Sequence, residues 1–321
     1  MTTKRYRVLD YFWHAAHGAR LLRIPADWTY FQMGDRKRWE FAYRPLGENL
    51  VGWATDYEPG EYDVAILHID QWSVDPRFSL RSLPYHLLNE AITDIPKIVI
   101  MHGLPEGTSN LRRLWQMIGN NYLVTNTEWS RGMMGLPADK SWAIVPGYDV
   151  EQWHQTSFER AEVLAVVAGS KTVRDHHGVH LITRLKRDGI PITWVGRDIA
   201  FGSFEEYRDY LAGASAFLNP CQWSQHPGAR NEAMLSGLPI VSTFYTDDDL
   251  YVRHGEDGIL ENGYVEIRDA LRLMLLPEMA VATVKMGHAA RVHARELFDH
   301  RRYVQEWLAV FDYVTKKGVA K

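Results

Sequence analysis

A chain of 321 residues, 46% of them hydrophobic, is long enough for two medium domains with separate cores. A net charge of −4 lacks the basic excess expected of a nucleic-acid or anionic-lipid binder, so no nucleic-acid partner is expected. The single cysteine, Cys221, rules out an internal disulfide or a cysteine zinc cluster and fits a reducing, cytoplasmic setting.

Apolar runs alternate with helix-period segments, the pattern of parallel sheets covered by helices. In the first half, strands are predicted at RVLDYF (7–12), DVAILHI (63–69), KIVIMHG (97–103), YLVTN (122–126) and WAIVP (142–146). GARLLRIPADW (18–28) reads either as an ordinary helix or as part of an acceptor site. The aromatic load of 12 Trp and 16 Tyr, with Trp13, Trp28, Trp39, Trp53 and Trp72 early in the chain, suits core packing for the most part. Near residue 150 the segment PGYDVEQWHQTSFERAE is polar and turn-rich. It divides a domain of residues 1–150 from one of 151–299. The second half restarts with VLAVVAG (163–169), ITWVG, SAFLN and LPIVST as strands. After DGIL the chain is helical, and the final helix, about 300–318, is expected to return to the first domain. The N-terminus lacks an apolar h-region, and no eighteen apolar residues run uninterrupted, so neither export nor a transmembrane segment is expected.

Ligands of open parallel sheets bind beyond the carboxyl ends of the strands. No G-x-G-x-x-G follows the first strand of either half, which argues against a nicotinamide dehydrogenase. In HPGARNEAMLSGLPIVST (226–243), Pro227 suits the first helical position and Gly237 a left-handed cap. The N–H groups of Gly228, Ala229 and Arg230 then face outward at the positive helix end, where a phosphate or diphosphate is favoured. Glu232, one turn further in, has two readings. It accepts hydrogen bonds from ribose hydroxyls, or it is an N-terminal carboxylate stabilised by the helix dipole. The histidines of HAAH (14, 17) and HHGVH (176, 177, 180) lack the H-E-x-x-H signature and nearby cysteines, so no metal is expected. DDD (247–249) reads as a solvated acidic loop.

NEAMLSGLPIVST resembles the E-A-M-A-x-G-x-P-V-V segment of the retaining glycosyltransferases of family four. IVPGYDVEQW, LAVVAGS, TWVG and HGEDGIL are similar to further blocks of that family in the same order, over roughly residues 95–315. The resemblance implies a GT-B fold of two facing Rossmann-like domains, and metal-independent, retaining transfer from a nucleotide-diphosphate sugar to an acceptor hydroxyl not identified by the sequence. No cofactor beyond that donor is implied. By the same resemblance, Glu232 holds the ribose, and Gly169, Gly228, Ala229 and Arg230 lie along the diphosphate. Lys171 and Arg174 neutralise the departing nucleotide, and His102 lies beside the transferred sugar. The family's first glutamate is replaced here by Ser224. Ser224, Gln225 and His226 thus become the candidates for the donor sugar, and a non-catalytic nucleotide- or sugar-binding module is the alternative.

Overall fold

The computed structural model describes residues 5–33, 39–75, 80–104, 107–167, 177–222, 226–244 and 248–319. The chain divides into two compact units, Met1–Tyr148 with His300–Lys321, and Asp149–Asp299.

The first unit runs β1 (Arg7–Tyr11), α1 (Ala15–Leu21), β2 (Asp27–Phe31), β3 (Leu50–Ala54), β4 (Val64–Ile69), α2 (Leu83–Ala91), β5 (Lys97–Met101), α3 (Gly107–Ile118), β6 (Tyr122–Thr125), α4 (Glu128–Met134) and β7 (Ser141–Ala143). Its sheet has the order β3-β2-β1-β4-β5-β6-β7, with every pairing parallel. β4 is buried along its whole length, which is why its sequence is an unbroken apolar run rather than an alternating one. Local chemistry sets the helix limits. The Thr127 hydroxyl accepts from the Ser130 amide at 3.1 Å to start α4, and Gly135 closes it at φ +63°.

The second unit contains β8 (Val163–Val166), α5 (Val179–Arg187), β9 (Ile192–Val195), α6 (Phe204–Leu211), β10 (Ala216–Asn219), α7 (Gly228–Leu235), β11 (Ile240–Ser242), β12 (Gly258–Leu260), α8 (Tyr264–Met274) and α9 (Ala280–Leu297). Its sheet, again parallel, has the order β12-β11-β10-β8-β9. α7 lies against α9, and the two backbones meet at glycines. A Cβ on Gly287 would collide with the carbonyl oxygen of Gly237.

The last helix, α10 (His300–Lys317), belongs to the first unit. Its buried stripe of Tyr303, Trp307, Val310, Phe311 and Val314 joins Val8, Ile66, Ile98 and Ile100 in one apolar cluster. Residues 303, 307, 310, 311 and 314 recur at helical spacing, so one face carries the whole contact.

β2, β3 and β12 were not expected from the sequence. The 18–28 segment supplies the end of α1 and the start of β2, not a single helix. DWTYF is too short to show a period on its own, and β3 is interrupted by Gly52 with Val51 and Trp53 facing outward. Among the described residues no helix is long and apolar enough to cross a membrane.

A buried charge cluster ties α9 to the turn before β12. Asp257 accepts from Arg253 Nε at 2.8 Å and is paired with His293. Burial alone would raise the Asp257 carboxyl, but the hydrogen bonds from Arg253 and His293 outweigh it and hold the group at about 2, against 3.8 when unperturbed. Because the folded value lies below the unfolded one, this carboxylate stabilises the fold above pH 4 or so, and that contribution disappears as pH falls toward 2. Thermal midpoints measured from pH 6 downward should therefore drop more steeply in this window for the wild type than for Asp257→Asn. Parallel curves would contradict the assignment.

Candidate functional site

In both sheets the chain changes direction beside its first strand, between β1 and β4 in the first unit and between β8 and β10 in the second. Strand carboxyl ends at such switch points are where open α/β sheets bind ligands.

In the second unit, β10 ends at Asn219, whose side-chain amide donates to Ser242 Oγ at 2.8 Å and ties β10 to β11. The chain then passes Pro220 and Cys221 and enters α7. Gly178, at φ +64°, starts α5 so close to this turn that a Cβ there would strike the Pro220 carbonyl oxygen. His177 Nδ1 is 3.1 Å from Cys221 Sγ. Burial pushes the Cys221 thiol up to about 12, so at neutral pH it is protonated and unreactive.

Pro227 is the residue before the helix, in an extended conformation, rather than its first helical residue. α7 therefore opens at Gly228. Gly228 and Ala229 are half-buried, whereas Arg230 is wholly buried. The Arg230 side chain has a structural role of its own. Its guanidinium is ion-paired with Asp248, its Nε donates to Asn231 Oδ1 at 3.3 Å, and it lies 5.0 Å above the Tyr251 ring. The first intrahelical bond is from the Asn231 amide to Pro227 O at 3.4 Å, so the amides that precede it, those of Gly228, Ala229 and Arg230, head the helix where an anion is favoured. The expectation of a solvated acidic loop is corrected, because Asp248 is buried as the counter-ion of Arg230, while Asp249 is exposed. His226 is buried, bonded to Asn231, and set edge-on to Tyr251 and Phe298 with ring centroids 4.8 and 5.5 Å away.

Glu232 is 5% exposed and accepts from the Tyr207 hydroxyl at 2.9 Å. A carboxylate has about four acceptor positions, so this bond is compatible with further donors. Gly169, Lys171, Arg174, Ser224 and Gln225 lie outside the described residues.

His102 follows β5 in the first unit, where its backbone amide continues the sheet by donating to Ile69 O at 2.8 Å. It stands in a group of aromatic and imidazole rings. His102 Nε2 is 2.8 Å from His68 Nδ1, Trp13 stacks on it 5.0 Å away at 3°, and His17 meets it edge-on at 4.6 Å. Burial, then the neighbouring His68, hold His102 well below the ordinary histidine value; burial and His102 do the same for His17. Both rings are neutral at pH 7. The Arg81 guanidinium lies 5.6 Å from the centroid of the Trp13 ring and is held by Asp70, which accepts from Arg81 Nε at 2.8 Å. Among the described residues, ligand-capable nitrogens of His17, His68 and His102 lie within 4.8 Å of one another.

Asp10, Trp13 and His68 were missed as site residues. The available signal was a carboxylate inside RVLDYF and an imidazole inside VAILHI, each a polar interruption in a strand apolar enough to be buried on both faces.

Residues 149–275 match the family described as Glycosyl transferases group 1. No curated protein matches the sequence. Among solved structures, the chain is similar to Anabaena HepE in complex with UDP and glucose, at 14% identity and a TM-score of 0.69, covering 96% of this chain and all of that one. It is similar to sucrose-phosphate synthase of Thermosynechococcus elongatus at 11% identity and a TM-score of 0.67, covering 98% of this chain and all of that one. A glycosyltransferase of Rickettsia africae is similar at 10% identity and a TM-score of 0.65, with coverage of 98% and 100%. The chain has the GT-B fold, and residues 149–275 in its second unit are similar to the Glycosyl transferases group 1 family.

Proposed function

We propose that this chain is a retaining, metal-independent glycosyltransferase of the cytoplasm, moving a sugar from a nucleoside-diphosphate sugar to an acceptor hydroxyl. The observation that carries this reading is the opening of α7, with half-buried Gly228 and Ala229 amides beyond the carboxyl end of β10 and the Glu232 carboxylate one turn further in. A diphosphate fits the amides and a ribose diol fits the carboxylate. The family match over 149–275 and the UDP found in the HepE structures support the same donor class.

In this reading, charge develops on the diphosphate as the sugar becomes cation-like. Fixed amides, with Lys171 and Arg174, supply the electrostatic stabilisation that usually contributes most. The family resemblance assigns Gly169 to the diphosphate, Ser224 and Gln225 to the donor sugar, and His102 to a hydroxyl of the transferred sugar. The diphosphate takes the acceptor's proton, so no protein nucleophile is needed.

The reading is tested with labelled nucleoside-diphosphate sugars in the presence and absence of a chelator. The expected outcome is turnover of at least one α-linked donor to an α-linked product, or to the α-configured free sugar when water is the acceptor, at a rate the chelator leaves unchanged. Nucleotide affinity with no turnover of any donor would replace the enzyme with a binding module, and an inverted product or chelator-sensitive turnover would overturn the stated mechanism.

A further inference from the structure

Two buried polar side chains break the apolar strands that flank the switch point of the first unit. Asp10 lies in β1 and His68 in β4, and they are 1% and 2% exposed. Taking a carboxylate out of water costs several kcal/mol unless it is well partnered, yet His68 is the one hydrogen-bond partner of Asp10 among the described residues. The core of this unit does not need such a pair. Val8 and Ile66 on the same strands show that apolar residues fill it.

The geometry is a chain of three groups. Asp10 Oδ1 is 2.7 Å from His68 Nε2, and His68 Nδ1 is 2.8 Å from His102 Nε2. Burial raises the Asp10 carboxyl above its usual range while the adjacent His68 opposes that rise; as a carboxylate it only accepts, and His68 Nε2 then carries the proton. When that is the one proton His68 carries, its bare Nδ1 only accepts and His102 Nε2 donates. A neutral His102 is left with a bare Nδ1. The stacked Trp13 and the edge-on His17 fix the plane of that ring.

We infer that Asp10 and His68 are positioning residues that hold His102 in its Nε2-protonated tautomer, so that Nδ1 accepts a hydrogen bond from a hydroxyl of the sugar substrate. The inference rests on the transfer reading for the identity of that hydroxyl, but the tautomer itself does not depend on it. Burial and the adjacent histidines keep His102 neutral, as an acceptor must be. Asp10→Asn keeps the shape while offering an amide N–H to His68, which lets both rings flip and makes His102 Nδ1 a donor.

The test is imidazole 15N NMR on the full chain at neutral pH, followed by kinetics. In the wild type, His102 Nε2 should show the shift of a protonated nitrogen and Nδ1 that of a bare one. In Asp10→Asn the two should exchange, in whole or in part. That variant should keep its thermal shift with UDP and its KM for the donor, while kcat falls about tenfold, the loss of one hydrogen bond made in the transition state. His68→Gln should lower kcat in the same way. A wild-type His102 protonated at Nδ1, a tautomer unchanged in Asp10→Asn, or stoichiometric zinc taken up by His17, His68 and His102 with loss of the Nε2 proton would each overturn the inference. The expected tautomers in a protein that turns over no donor would defeat the transfer reading and leave the relay standing.

Discussion

Asp248→Ala is expected to destabilise the second unit by about 3–5 kcal/mol, the cost of leaving a buried cation without its counter-ion. Arg230 is wholly buried inside a short helix and paired with Asp248 across the loop that follows β11. Its other contacts, to Asn231 Oδ1 and the Tyr251 ring, carry no net negative charge. Once the carboxylate is gone, the guanidinium must stay unpaired in the interior or pull the first turn of α7 apart to reach water. Either outcome reaches the amides of Gly228 and Ala229, so nucleotide affinity should fall along with stability. At about 2–4 °C per kcal/mol for a unit of this size, the midpoint should drop on the order of 10 °C. The double variant Arg230→Met with Asp248→Leu removes both charges and should recover most of the loss, since replacing a whole buried pair by apolar side chains is often neutral or better. A drop below about 1 kcal/mol in the single variant would show that water already reaches Arg230.

The legible parts of the fold were those whose periodicity follows directly from burial. β4, β5, β6 and β8 are covered on both faces and therefore read as continuous apolar runs, and α10 presents one apolar face at helical spacing. β2 and β3 were hidden because strands of five residues near a sheet edge, one of them containing Gly52, have too few inward positions to set a period. The turn into α7 was legible because glycine and proline act on the backbone directly. What Arg230, His226 and Asp248 do was not, because a charge or an imidazole in a polar loop has the same sequence whether it faces solvent or a partner eighteen residues away. The Asp10, His68 and His102 group shows the same limit. Its members are 58 and 34 residues apart, and only strand order brings them together.

Binding of a nucleoside diphosphate by the opening of α7 and Glu232 is measured by calorimetric titration of UDP, GDP and ADP into wild type and Glu232→Gln. Gln keeps the size and one acceptor oxygen, and the bond from Tyr207 can be retained, so the unliganded midpoint should move little. Hydrogen bonds to a charged group contribute about 1.5–3 kcal/mol, so losing the charge should weaken the preferred nucleotide about ten- to a hundredfold. Free ribose phosphates of the same base should show the same dependence on residue 232. Failure of all three nucleotides to bind the wild type, or equal binding by wild type and Glu232→Gln, would contradict the claim.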